Sequence, residues 1–176
     1  MSEQIRRRTK YLTVSAMLVA LGVVCMSLGS LVDVLDLTTA VLSSMLCIYA
    51  VIEMGGSYPW AIWLATSILS LILLPIKTPA VFYAAFFGFY PILKEKLERR
   101  SRPLAWTLKI LAYHLSLGVI VVIFLWFLPG QISEEPPFFG AILYVASLLV
   151  FLLYDVALTR LITFYLIRLR HRFRIR

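Results

Sequence analysis

The side chains with scope for chemistry are few and widely spaced. Asp33 and Asp36 stand in a short connection between apolar runs, Asp33-Val34-Leu35-Asp36. Lys77 and Thr78 stand in another, bracketed by Pro75 and Pro79. Two carboxylates and an ammonium on short loops against apolar segments can pair with each other or grip a polar ligand, so these four are candidate ligand-binding or gating residues. His114, Asp155 and Arg160 lie inside apolar runs. Ionisable groups in hydrocarbon are costly and turn toward a bundle interior or a water-filled cavity. His114 and Asp155 are therefore candidate ligand-lining residues, with packing and a structural polar contact as the competing readings. Asp155 shares a helix face with Thr159, but Phe151 stands four residues back on that face, so no polar cluster gathers around the acid. Arg160 is placed to reach a membrane interface.

Other chemistries lack their signatures. The chain has no GxxxxGK[ST] phosphate loop, no HExxH and no GxSxG. Cys25 and Cys47 fall in apolar segments, outside any CxxC or Cys/His cluster, and read as buried thiols. No enzymatic activity, metal or cofactor is expected. Glu134 and Glu135, beside Pro136-Pro137, read as solvated loop charges.

The elements that position these residues follow from composition. The 176 residues are 61% hydrophobic, with mean hydropathy +0.91, whereas soluble domains are roughly 45–50% apolar. Six apolar segments are expected, at about 11–32, 37–52, 58–74, 79–93, 104–128 and 138–167. The predicted fold is all-α, a polytopic membrane protein forming one six-helix transmembrane bundle over 1–176. The second and fourth segments fall short of the roughly 17 residues a spanning helix needs. The first exceeds the apolar core of about 7–15 residues in a cleavable signal peptide, and no internal repeat is evident.

Net charge is +8, concentrated at alternate segment ends. Arg6, Arg7, Arg8 and Lys10 precede the first segment. Lys94, Lys96, Arg99, Arg100 and Arg102 separate the fourth and fifth, and five arginines fall in 168–176. In the loops on the other side Lys77 is the sole Lys or Arg. The positive-inside rule then places both termini in the cytoplasm of a plasma-membrane protein. Basic clusters split by apolar runs point to membrane lipids as a partner and away from nucleic acid. Tyr11, Tyr58, Trp60, Tyr90, Trp106 and Trp126 fall near segment ends, as an interfacial aromatic belt would.

The first segment carries Ala16 and Ala20, four residues apart and hence on one helix face, with Ser27 seven residues further. Small residues let another helix approach closely, whether from this chain or from a separate subunit. Ala80, Ala84 and Gly88 repeat the spacing in the fourth segment. A small six-helix membrane protein with a basic start and this Ala-x-x-x-Ala pair resembles the substrate-binding S component of energy-coupling factor (ECF) transporters. Three further stretches look like uncharacterised members of that group: Leu28-Gly29-Ser30-Leu31-Val32-Asp33, Leu74-Pro75-Ile76-Lys77, and Phe87-Gly88-Phe89-Tyr90-Pro91-Ile92-Leu93-Lys94. The resemblance implies docking of Ala16 and Ala20 on a transmembrane coupling subunit, and through it on ATPase subunits. It also implies a vitamin-like small-molecule ligand bound near the outer face and carried inward as the protein topples. The alternative is a small membrane scaffold of the rod-elongation, cell-shape type, without transport activity.

Overall fold

The computed structural model describes residues 2–31, 33–127 and 137–169. Among them every regular element is helical. Helix α1, Ser2–Gly29, has no proline to stop it and ends where Ser30 N–H donates to the Met26 carbonyl (3.0 Å). A 3-10 turn, Asp33–Leu35, leads into α2, Asp36–Glu53. Gly55 and Gly56 then both take φ +60, a conformation that costs glycine little. The Gly55 N–H reaches back to the Ala50 carbonyl (3.1 Å), closing the end of α2.

Helix α3, Tyr58–Leu73, has Pro59 in its first turn, where no N–H is needed. It ends as Leu74 turns extended (ψ 137) ahead of Pro75. The gap between the third and fourth expected segments, 75–78, therefore falls at 74–77. Helix α4, Thr78–Phe82, passes into a π-helical stretch, Tyr83–Phe87, and then α5, Tyr90–Leu97. The fourth apolar segment is thus three short pieces that run on past its expected end. Helix α6 spans Arg102–Phe127 and α7 spans Pro137–Phe164, continued by a π-helical Tyr165–Leu169.

Among the described residues, four helices are long and apolar enough to cross a membrane: α1, α2, α6, and α7 with its continuation to Arg168. Helix α2 reaches 18 residues because Asp36 and Glu53 join it, whereas α3 stays at 16. The 130–136 connection, including Glu134 and Glu135, and the tail beyond 169 lie outside the described residues.

The chain forms two compact units, 1–112 and 113–176. In the first, α1 packs on α2 and α3 through its glycines. A methyl on Gly22 would lie 3.1 Å from Thr66 Cγ2, and Ser43 Oγ donates to the Gly22 carbonyl (3.1 Å). Gly29 abuts Thr39 so closely that no side chain fits between them. Trp63 of α3 donates its indole N–H to the Ala84 carbonyl of the π-helical stretch (3.2 Å), and a methyl on Gly88 would fall 2.5 Å from that ring. In the second unit, Tyr113 stacks on Phe151 (4.9 Å) and shares a 2.6 Å hydrogen bond with Ser147.

Candidate functional site

The residues singled out on the loops stand in the two connections where α1 and α3 finish and α2 and α4 begin. Asp36 is the first residue of α2 and is half-buried, and Thr78 opens α4. Asp33 begins the 3-10 turn, and its side chain lies outside the described set. Lys77 bends back so that its ammonium donates to the Leu74 (2.5 Å) and Ile72 (3.4 Å) carbonyls. These are carbonyls that the end of α3 leaves without helical donors, so Lys77 caps that helix.

A polar seam that sequence reasoning missed runs from this end into the packing of α1, α2 and α3. Ser30, Thr39, Ser43, Ser44, Thr66, Ser67 and Ser70 are all buried. Most of their hydroxyls donate to nearby carbonyls: Thr39 to Leu35 (3.0 Å), Ser44 to Val41 (2.6 Å) and Ser67 to Trp63 (2.7 Å). Thr66 Oγ1 and Ser70 Oγ, one turn apart on α3, are buried with no protein partner among the described residues. An unmet buried hydroxyl costs about 1–3 kcal/mol. Both lie in the tight packing of α3, with Gly22 of α1 close against Thr66. The four-residue spacing of Thr66 and Ser70 was the available signal.

The opposite, basic end holds a second concentration of polar chemistry. Lys94 of α5 is 1% exposed and Lys109 of α6 is 5% exposed, yet both carry ammoniums 3.1 Å from one oxygen, Glu98 Oε1. Glu98 is about half in solvent, so it draws two buried cations toward the surface. Arg99 pairs with Glu95 at 2.6 Å. Cations also stand on aromatic faces here: Arg7 over Tyr11 (5.5 Å), Lys96 over Trp60 (5.2 Å) and Lys109 over Trp106 (5.4 Å). Lys94 was expected in the basic stretch between the fourth and fifth segments. The i, i+4 pairs Lys94–Glu98 and Glu95–Arg99 were the sequence sign that helix continues there.

In the second unit, His114 and Tyr144 meet at 2.9 Å through Nε2 and the phenol oxygen, with the imidazole exposed. Asp155 is buried, and the Thr159 hydroxyl donates to the Asp155 main-chain carbonyl (3.0 Å). His114 and Asp155 belong to the second unit, and Asp33, Asp36, Lys77 and Thr78 to the first. Among the described residues no three His, Cys, Asp or Glu gather to hold a metal.

Ala16 and Ala20 lie exposed on α1, in line with exposed Met17 and Val24, while Gly22, Met26 and Gly29 occupy its buried side. In the fourth segment Ala80 is fully buried and Gly88 is pressed against Trp63, so that small-residue row serves internal packing. No protein-family model matches the chain, and neither the curated proteins nor the solved structures include a significant match.

Proposed function

We propose that the chain is the membrane-embedded solute-binding component of an ECF-type importer, docking through α1 on a transmembrane coupling subunit whose ATPase partners supply energy. In this reading it crosses the membrane six times, with both termini cytoplasmic. The crossings are α1, α2, α3, the run from α4 through α5, α6 and α7. The fourth crossing is built from the short pieces α4, the π-helical stretch and α5, with Lys94 and Lys96 at its cytoplasmic end.

The division of labour on α1 carries the proposal. Its glycine side is consumed by packing on α2 and α3, while Ala16 and Ala20 remain uncovered. A helix already packed through its smallest residues does not need a second small face for its own fold. Small residues turned outward let a partner helix approach its backbone. The outer end, with Asp36, Lys77, Thr78 and the Thr66–Ser70 hydroxyls, then faces the side from which a vitamin-like or other polar solute arrives.

The test is ligand retention. Protein purified in mild detergent, denatured and analysed by mass spectrometry should release a small polar solute in stoichiometric amount, and Thr66→Val with Ser70→Ala should lose it. A folded protein that releases none and fails to bind any member of a vitamin panel would refute the importer reading and favour the scaffold.

A further inference from the structure

The acids beside Lys96 on α5 are already committed. Glu95 is held by Arg99 at 2.6 Å, and Glu98 serves both Lys94 and Lys109 at 3.1 Å. Lys96 is exposed, and its ammonium rests on the Trp60 ring at 5.2 Å. A cation–π contact fixes the position of an ammonium without neutralising it, so its hydrogen-bond donors stay available to an anion.

What lies beneath Trp60 identifies the anion. Leu64, Ile68 and Ile72 follow at successive intervals of four, and all three are exposed. They form one apolar ridge along α3, starting at the half-buried indole. From Trp60 to Ile72 the ridge rises about 18 Å at 1.5 Å per residue, slightly more than half of a hydrocarbon core about 30 Å thick. A soluble phosphate or a nucleic acid has no use for such a ridge. A phospholipid needs both parts, a cation at headgroup level and an apolar track for an acyl chain, with an amphipathic indole between them.

We propose that Lys96, Trp60 and the Leu64–Ile68–Ile72 ridge form a binding site for one anionic phospholipid, its phosphate on Lys96 and an acyl chain along α3. The site rests on the membrane placement of the preceding reading and is independent of transport. A protein that releases no solute can still show it, and an importer can lack it.

The test is native mass spectrometry of the full-length protein in neutral detergent, titrated with dioleoylphosphatidylglycerol, dioleoylphosphatidylcholine or glycerol 3-phosphate. One phosphatidylglycerol should be retained in preference to phosphatidylcholine, and glycerol 3-phosphate should not bind. Lys96→Gln should weaken phosphatidylglycerol retention about fivefold, the factor given by about 1 kcal/mol per surface lysine. Lys96→Arg should preserve it and Trp60→Leu should weaken it. Arg100→Gln removes an exposed charge that takes no part in the Lys96–Trp60 contact and should leave it unchanged. Equal retention of the two lipids, no effect of Lys96→Gln, or an equal loss with Arg100→Gln would each overturn the site. So would glycerol 3-phosphate binding as tightly as the lipid.

Discussion

Replacing Gly29 with alanine tests the closure of α1 on α2 at the end where α1 finishes and α2 begins. The new methyl would lie 2.9 Å from Thr39 Cβ and 3.0 Å from Thr39 Cγ2. Thr39 cannot swing aside cheaply, because its hydroxyl is tied to the Leu35 (3.0 Å) and Asp36 (3.2 Å) carbonyls. Its Cβ is also fixed to the backbone of α2. The helices must therefore separate, and overpacking of this kind costs about 1–3 kcal/mol. At about 2–4 °C per kcal/mol for a chain of this size, the melting temperature in detergent should fall by several degrees. Thr39→Ala deletes Oγ1 and Cγ2 but leaves Cβ in place, so it should rescue Gly29→Ala in part, with a coupling energy of about 0.5–3 kcal/mol. Gly118→Ala is the control. Nothing lies within 4 Å of a methyl there, in the interior of α6, so helix propensity should make it neutral or stabilising by up to about 1 kcal/mol. Full stability of Gly29→Ala, or identical losses with and without Thr39→Ala, would refute the close contact.

Two further substitutions separate structural from ligand roles. Glu98→Gln removes the charge shared by Lys94 and Lys109 and should destabilise the protein by about 2–3 kcal/mol. That is two charge-assisted hydrogen bonds of about 1.5–3 kcal/mol each, reduced because Glu98 is half in solvent. Chemical denaturation in detergent should show it, and an unchanged midpoint would contradict the buried cation pair. Lys77→Gln loses the cap on α3 and should cost about 0.5–1.5 kcal/mol in thermal stability while leaving solute retention within a few-fold. A selective loss of solute at unchanged stability would make Lys77 a ligand group instead.

Much of the architecture was legible because hydrophobicity and helix punctuation are local signals. The Gly55-Gly56 stop and the break between Leu74 and Thr78 follow from glycine, proline and run length. The π-helical turn at Tyr83–Phe87 was not legible. It lies in an aromatic run with no breaker before Gly88, and the contacts made there are tertiary, the Trp63 indole meeting the Ala84 carbonyl and Gly88. The candidate site was legible only in part. Spacing put Ala16 and Ala20 on one face, but which side of α1 faces α2 depends on where Gly22 and Gly29 meet Thr66 and Thr39. Lys77 looked like a loop cation because its partners are backbone carbonyls, which no residue type announces. Partners such as Tyr113–Ser147 and His114–Tyr144 are at least 30 residues apart, beyond the reach of any local pattern.

The central claim is that α1 carries a docking face as well as a packing face. The direct measurement is affinity purification of the tagged full-length protein from its native membranes, with the co-eluting proteins identified. The account predicts a transmembrane coupling subunit with two ATPase subunits, lost from Ala16→Trp and Ala20→Trp proteins that remain monodisperse and thermally stable. Purification without such subunits, or a complex that survives both tryptophans, would contradict it.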